Sequence, residues 1–223
     1  MSNLFSTNSP LWRAMSTLAD LVWLNILFVL CSIPFFTVGA SLSAMYSVTL
    51  KICANEEESI TKDFFKSFRE NFKQATVLWL IMLGIGIFLI VDFLIVPFLG
   101  GVIYEIVFWF LCVIGILYIM VFSFLFPLQS KFANTTKRMF LNAILMSIRH
   151  LLPTTVVVAL LTAVPGLIVY FKIELLFKYM PLVFLLLFSG LAFLNSKLLL
   201  PIFRKYISLQ EQAEGAKQEE EAV

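Results

Sequence analysis

Four polar residues in or beside long apolar stretches are the first candidates for chemistry in this chain: Asp20, Asn25, Asp92 and Glu105. An ionisable group in hydrocarbon costs about 2.5–3.5 kcal/mol on insertion scales, so such groups typically mark proton or ion paths. A path needs them at the membrane midplane. We expect Asp20 at the outer start of a span, with Asp92 and Glu105 flanking one outer hairpin. We therefore favour snorkelling or interhelical hydrogen bonds for these residues.

The other reactive residue types form no recognisable catalytic, metal or cofactor site. Cys31, Cys53 and Cys112 show no paired spacing, and the single histidine, His150, has no cysteine or carboxylate cluster around it in sequence. The glycine-rich nucleotide loop, the Gly-x-Ser-x-Gly elbow and the His-Glu-x-x-His zinc motif are all absent from the sequence. We therefore predict a protein that is not an enzyme and that uses no metal or cofactor.

Composition indicates the class of protein. Apolar residues make up 61% of the 223 residues and charged residues 13%, against about 45–50% and 25% in ordinary soluble domains. A transmembrane helix needs about 20 apolar residues, and several uncharged stretches approach or exceed that length: Leu21–Leu50, Ala75–Val91, Ile106–Ser130 and Leu151–Phe171. The sequence predicts an all-α, polytopic membrane protein. Its net charge of +2 gives no reason to expect nucleic acid as a partner.

The apolar stretches predict about five transmembrane helices, at 18–38, 75–98, 102–126, 151–171 and 177–200. The run "PFLGG" at 97–101 predicts a tight hairpin between the second and third spans. Pro34 and Gly39 interrupt the first stretch, which is too long for one straight span. We therefore expect a separate helix at 41–51, either shallow or partly re-entrant, and keep a sixth full span as the alternative.

The distribution of Lys and Arg predicts the orientation. The segment 51–74 carries five basic residues and the segment 127–150 carries four, whereas the hairpin at 97–101 carries none. Because cytoplasmic connections are enriched in Lys and Arg, both segments and the C-terminus are predicted to be cytoplasmic. Five spans then place the N-terminus outside. A sixth crossing would place it inside.

Two cytoplasmic amphipathic helices are predicted, each directly before an apolar hairpin. In the first, residues 62–74, the interfacial or partner-docking residues are Phe64, Phe65, Phe68, Arg69 and Phe72. In the second they are Phe140, Ile144 and Ile148. Each hairpin ends in a proline with basic and aromatic neighbours, so the chain reads as two copies of one helix-plus-hairpin unit. The apolar faces lie toward lipid or toward a partner protein.

The domain prediction is a single transmembrane domain over 1–208. Residues 209–223 contain several glutamates and little apolar matter, so they are predicted to form a disordered acidic cytoplasmic tail.

The first third of the chain resembles the YesL-like family of bacterial integral membrane proteins. The resemblance lies in "LADLVWLNILFVLCSIPFFTVGASLSAMYSVTLK" (18–51) and "DFFKSFRENFKQATVLW" (63–79). The matching residues are Asp20, Asn25, Pro34, Gly39, Ala40, Tyr46, Lys51, Phe64, Phe65, Phe68, Asn71, Phe72, Lys73, Gln74 and Ala75. The family has no established activity. Its members come mostly from Gram-positive bacteria and are often encoded beside carbohydrate importers of the ATP-binding-cassette (ABC) type. The resemblance implies a multi-pass protein of the bacterial cell membrane with an accessory role in sugar uptake.

Two functions are expected from these observations. The first is a non-enzymatic accessory subunit that binds the permease subunits of a carbohydrate ABC importer and the surrounding membrane lipid. Close approach would use small-residue faces such as Gly84-x-Gly86 and Gly39-Ala40-Ser41. The alternative is a small homo-oligomeric transporter or channel, which would need polar residues converging at the midplane. The sequence offers little there beyond Asn25, Thr37 and Asn195. A third possibility, an enzyme acting on lipid-linked sugars, would need a carboxylate cluster built from Asp20, Asp92 and Glu105.

Overall fold

The computed structural model describes residues 10–132, 134–150 and 187–221, and this part of the chain is helical without strands. The α-helices are α1 (Pro10–Cys31), α2 (Val38–Ala54), α3 (Ile60–Ile95), α4 (Gly101–Lys131), α5 (Thr136–Arg149) and α6 (Phe188–Glu221), with 3-10 turns at Phe35–Thr37 and Val96–Phe98. Four helical stretches in the described residues are long and apolar enough to cross a membrane: Ala14–Cys31, Phe35–Ala54, Ile60–Phe98 and Gly101–Lys131. The predicted all-α membrane class is confirmed for these residues. The predicted span 151–171 and most of the hairpin it begins lie outside them.

The first span is shorter than predicted. Helix α1 ends at Cys31 rather than continuing to residue 38. Pro34 disfavours helical geometry at the residue before it and supplies no backbone N–H. The Thr37 hydroxyl closes the resulting turn, lying 2.5 Å from the Cys31 carbonyl oxygen and 2.6 Å from that of Pro34.

Helix α2 is the central element of the described fold, whereas the sequence favoured a shallow or partly re-entrant helix at 41–51. It contacts α1, α3, α4 and α6, and Ala40, Ala44 and Val48 are completely buried. A shallow helix would expose one face to headgroups, and this helix exposes none. With 17 residues in α2 and three in the preceding turn, the stretch is about 31 Å long, close to the hydrocarbon thickness of about 30 Å.

Close packing of α2 against α3 depends on Gly39. A methyl group at this position would lie 2.5 Å from the Trp79 Cβ, and nearer still to the Ala75 carbonyl oxygen. The Trp79 indole also donates to the Phe35 carbonyl oxygen at 3.0 Å. The stretch Gly39-Ala40-Ser41 is therefore used inside the fold, and its expected role as a partner-facing surface is wrong.

Helix α3 joins the predicted charged helix 62–74 and the predicted second span into one continuous helix of 36 residues. At about 1.5 Å per residue it is about 54 Å long, more than the hydrocarbon thickness. No proline or turn residue separates the charged half from the apolar half, so the chain has no reason to break there. The tight hairpin is confirmed: α3 returns into α4 through Gly100 and Gly101, whose φ angles are 64° and 59°, values that favour glycine.

The hairpin of α3 and α4 is held by two separate sets of contacts. Near its connected end, Leu89, Val96 and Leu111 form a small core of their own. Farther along, the Tyr118 hydroxyl donates to the Met82 carbonyl oxygen at 3.0 Å. This bond is possible because Gly86 has no side chain, as a Cβ there would lie 2.8 Å from the Tyr118 oxygen.

The backbone of α6 continues as helix through Glu221, where the sequence predicted a disordered tail from residue 209. The segment is rich in Gln, Glu and Ala, which are among the better helix formers. Its composition therefore permits a helix. The predicted span 177–200 lies partly in α6, which begins at Phe188. The second copy of the predicted repeat is described in its helix α5 and in the part of its last span that lies in α6.

Candidate functional site

The end of α2 and the start of α3 are joined by an ion pair. The Lys51 ammonium donates to Asp63 Oδ1 at 2.5 Å, and Asp63 is only 8% exposed. Lys51 lies in the last turn of α2 and Asp63 in the first turn of α3. Each charge therefore opposes the partial charge of its own helix end. The pair fixes the α2–α3 connection.

Asp20 lies at this same end of the bundle. Its carboxylate is close enough to Glu57 for a Coulombic interaction, and the neighbouring Trp23 indole donates to the Thr61 hydroxyl at 2.9 Å. The sequence prediction had placed Asp20 and the segment 51–74 at opposite ends of the bundle. In the described structure they lie at the same end, because helix α2 returns the chain toward the end at which α1 starts.

The phenylalanines of the first predicted docking surface divide between core and surface. Phe64 is completely buried, with its ring centroid 5.6 Å from that of Phe65 and 6.2 Å from that of Phe68. It packs in the core formed by α1 and α2, so its assignment as a partner-docking residue is wrong. Phe68 and Phe72 are half-buried, whereas Phe65 and Arg69 are exposed.

Helix α5 packs one face against the bundle and leaves much of the predicted interfacial face at the surface. Its buried residues are Met139, Ala143, Met146 and Ser147. The predicted interfacial residues Ile144 and Ile148 are 39% and 51% exposed, and Phe140 is half-buried against the core shared with α4 and α6. Both faces of α5 are apolar, so sequence periodicity could not decide which one faces the bundle.

Several polar residues buried between helices form hydrogen bonds across the helix contacts. Asn25 is completely buried, and its Oδ1 accepts a hydrogen bond from the Ser189 backbone N–H at 3.2 Å. Between α2 and α6, the Asn195 amide donates to the Tyr46 hydroxyl at 3.1 Å, and the Thr49 and Ser196 hydroxyls lie 2.7 Å apart. Such bonds join helices in a membrane.

The two acidic residues of the hairpin lie apart from these networks. Asp92 is half-buried near the end of α3, and Glu105 is exposed near the start of α4. The carboxylates Asp20, Asp92 and Glu105 do not form a cluster, and no group of three His, Cys, Asp or Glu residues that could hold a metal ion occurs in the described residues.

Sequence reasoning missed an amide network where α3, α4 and the α4–α5 connection meet. The Gln129 amide nitrogen donates to Asn71 Oδ1 at 3.2 Å and to Gln74 Oε1 at 3.1 Å. Gln74 in turn donates to the Asn134 carbonyl oxygen at 2.6 Å. The three-residue spacing of Asn71 and Gln74, one helical turn, is the signal that could have shown a polar face at this boundary.

A cavity of about 640 Å³ opens beside this network. We refer to it as the polar cavity. Its described lining residues are Glu70, Asn71, Gln74, Gln129, Ser130, Lys131, Phe132, Asn134, Thr135 and Arg138. A second, more apolar cavity of about 470 Å³ shares Phe132 and Asn134 with it and extends along α5 to Arg149 and Tyr206. The Arg149 guanidinium lies 5.8 Å from the Tyr206 ring centroid, within cation–π distance.

These features define an all-helical membrane protein with a packed centre, a protruding hairpin and a polar site at one end. Residues 21–93 match the model of a family described as a protein of unknown function, DUF624. The match confirms the resemblance to the YesL-like family over this part of the chain, which contains the second half of α1, all of α2 and nearly all of α3. No curated protein and no solved structure matches the chain.

Proposed function

We propose that this protein is a non-enzymatic accessory subunit of the bacterial cell membrane that binds the transmembrane permease subunits of a carbohydrate ABC importer. The type of partner comes from the family resemblance. The proposed contact surface comes from the exposed apolar side of α3, where Gly84 lies among Leu80, Ile87 and Phe88. These three side chains are 48%, 53% and 66% exposed.

Gly84 is the observation that carries this proposal. A Cβ placed on it meets no described heavy atom within 4 Å, so the residue leaves a notch between large side chains. Small residues on a helix surface allow a second transmembrane helix to approach closely. Gly86, the other half of the predicted Gly84-x-Gly86 face, is covered by Tyr118. The predicted face is thereby reduced to Gly84.

Affinity purification of the full-length protein from mild detergent tests this proposal. Wild type should recover importer subunits, and Gly84→Leu should reduce recovery by about tenfold, equivalent to about 1.4 kcal/mol of binding. Gly190→Leu on α6 is the matched control, because Gly190 also has open space at its Cβ position. Wild-type protein that recovers no importer subunit contradicts the proposal, as does equal recovery by all three proteins.

The proposed topology places the segments 51–74 and 127–150 and the C-terminus in the cytoplasm. The Trp23 indole of α1 donates to the Thr61 hydroxyl at 2.9 Å, so we also place the start of α1 on the cytoplasmic side, in contrast to the outside N-terminus predicted from five spans. Cysteine-accessibility labelling in a background without native cysteines should find residue 65 accessible from the cytoplasm and residue 99 from outside. A cysteine at residue 12 should be labelled from the same side as residue 65. Labelling of residue 12 from the opposite side contradicts this arrangement.

The alternative is a small homo-oligomeric transporter or channel. The observation in its favour is the set of buried polar residues between α2 and α6, including Asn195, whose side-chain oxygen has no hydrogen-bond donor among the described residues. Asn195 and Tyr46 border an apolar cavity of about 220 Å³. Solute uptake by proteoliposomes that contain only this protein, lost in Asn195→Leu, supports the alternative over the accessory role.

A further inference from the structure

The polar cavity is bounded by α3, by the end of α4 and by the start of α5. It lies at the level where α3 changes from its charged half, which ends near Lys73, to the uncharged stretch that starts at Ala75. In a membrane protein this change marks the boundary between headgroups and hydrocarbon. The cavity therefore lies at headgroup depth.

One wall of the cavity presents an unused hydrogen-bond acceptor. Gln129 is only 3% exposed, and its amide nitrogen is already committed to Asn71 and Gln74. Its Oε1 receives no hydrogen bond from the described residues. A buried acceptor left in this state has lost its hydration without compensation. A ligand hydroxyl that donates to Gln129 Oε1 would restore the missing bond.

The rim of the cavity presents two cations. Lys131 ends α4 and Arg138 lies in the first turn of α5, and neither has a carboxylate within 4.0 Å in the described part of the chain. Arg binds phosphate through its planar fork of donors, and Lys binds it as a point charge. The first backbone N–H groups of α5 add partial positive charge beside Arg138, and the Thr135 side chain does not cap them.

Glu70 adds a negative charge to the lining of the polar cavity. Its carboxylate, on α3, is the one acidic group among the described lining residues. A carboxylate repels a second anion but accepts hydrogen bonds from hydroxyl groups. With Gln129 it therefore forms a hydroxyl-accepting wall, while Lys131 and Arg138 form a phosphate-binding rim. A ligand that satisfies both carries a phosphate and neighbouring hydroxyls.

We propose that the polar cavity binds a phosphate-bearing polyol, with the phosphate at Lys131 and Arg138 and a hydroxyl donating to Gln129 Oε1. At headgroup depth, the two sources of this chemistry are the glycerol-phosphate headgroup of an anionic lipid and a soluble glycerol phosphate. The more apolar cavity that shares Phe132 and Asn134 offers room for an acyl chain and favours the lipid. The proposal does not depend on the accessory role.

Native mass spectrometry of the full-length protein in a polyoxyethylene detergent tests this site, since maltoside headgroups would supply competing hydroxyls. The probes are phosphatidylglycerol, phosphatidylserine, phosphatidylcholine and soluble glycerol 3-phosphate. The variants are Lys131→Gln/Arg138→Gln and Gln129→Leu. The control is Lys62→Gln/Lys66→Gln, which removes the same charge from exposed positions of α3 outside the cavity.

We expect wild type to bind phosphatidylglycerol at least about tenfold more tightly than phosphatidylcholine, with a further preference over phosphatidylserine, which lacks the glycerol hydroxyls. The Lys131/Arg138 variant should lose about tenfold in phosphatidylglycerol affinity, and the Lys62/Lys66 control should change by less than about twofold. Gln129→Leu should remove the preference for phosphatidylglycerol over phosphatidylserine. Saturable binding of glycerol 3-phosphate with the same dependence on the variants identifies the soluble source instead.

Equal binding of phosphatidylglycerol and phosphatidylcholine, together with no saturable binding of glycerol 3-phosphate, overturns the proposal. An equal loss of affinity in the two double variants overturns it as well, because that result reports general surface charge rather than a site. Should Gln129→Leu fail to fold, the comparison of the two double variants still decides the question, since all four of their positions lie outside the buried core.

Discussion

The stretch Phe35–Ala54 and the two helices of the α3–α4 hairpin are all apolar enough to cross a membrane, but they lie in opposite environments. In the most apolar part of Phe35–Ala54, 67% of the residues are buried within the chain, against 17% in the corresponding parts of Ile60–Phe98 and Gly101–Lys131. The difference follows side-chain size. Helix α2 begins with small residues such as Gly39 and Ala40, which let neighbouring helices approach. The hairpin carries Leu, Ile and Phe, which pack equally well against lipid or a partner.

Hydrophobicity therefore shows that a helix belongs in a membrane, whereas the distribution of small residues shows which helices pack against one another. Substitutions should follow the same division: those in the α2-centred core should be costly, and those on the exposed surfaces should be tolerated. Paired variants can test this division, with thermal unfolding in detergent as the common measurement.

The largest expected effect is at Phe64. Phe64→Ala empties a completely buried position and should lower the free energy of unfolding by about 3–5 kcal/mol. Phe65→Ala, one residue away and 42% exposed, should change it by less than about 1 kcal/mol. A loss below about 1 kcal/mol in both variants would mean that the whole stripe faces lipid or a partner, as the sequence alone suggested.

The next largest effect on the free energy of unfolding is expected for substitutions at Gly39 and Gly84. Gly39→Ala places a methyl group against the α3 backbone and Trp79 and should destabilise by about 1–3 kcal/mol through overpacking. Gly84→Ala adds the same methyl group to open space and should stabilise by up to about 1 kcal/mol through helix propensity. The melting temperatures should shift in opposite directions. A decrease of equal size in both would show that Gly84 is packed in solution.

A smaller effect is expected for the ion pair at the α2–α3 connection. Lys51→Gln leaves the Asp63 carboxylate without its cation at a position that is 8% exposed, and the loss should be about 1–3 kcal/mol. Lys62→Gln, an exposed position on α3, is the control and should change stability by less than about 0.5 kcal/mol. Rescue of Lys51→Gln by adding Asp63→Asn would confirm that the unpaired charge causes the loss.

A modest pH dependence is expected from His150. Partial burial together with the positive charges of Arg149 and Lys205 lowers the pKa of His150 below its ordinary value of 6.5. The unfolded chain then takes up the proton more readily than the fold does, so this contribution is fully present above pH 6.5 and decreases as the pH falls through the lowered pKa. His150→Gln should reduce the dependence of the melting temperature on pH between about pH 7 and pH 5. An unchanged slope contradicts the assignment.

The smallest effects are expected at the connected end of the hairpin. Asp92→Asn and Glu105→Gln change side chains outside the buried networks and should alter unfolding by less than about 0.5 kcal/mol. The same variants should leave membrane insertion unchanged. If either one abolishes sugar uptake in cells at matched expression, that carboxylate has a functional role.

The membrane class of the protein and the tight hairpin between α3 and α4 could be predicted from the sequence, because both depend on local sequence signals. Long uncharged runs indicate membrane helices, and Gly100-Gly101 after Pro97 indicates a tight turn. The end of α1 at Cys31 was not predicted. Pro34 was recognised as an interruption of the apolar stretch, but the first span was still extended past it.

The neighbours of α2 could not be predicted. Nothing local shows that Gly39 meets Ala75 and Trp79, or that Phe64 faces α1 and α2, because these contacts join residues tens of positions apart. The candidate site was missed for the same reason: Gln129 becomes informative only when α4 brings it beside Asn71 and Gln74. Without those contacts, an amphipathic pattern indicates only that a face is apolar.

The hydrogen bond from Tyr118 to the Met82 carbonyl oxygen has a mechanical consequence. It ties α3 to α4 at a fixed height, opposite the side-chain gap of Gly86. Sliding one helix past the other by a turn, about 5.4 Å, would strand the phenol in hydrocarbon without an acceptor. The hydrogen bond therefore fixes the register of α3 against α4 and opposes sliding of one helix along the other.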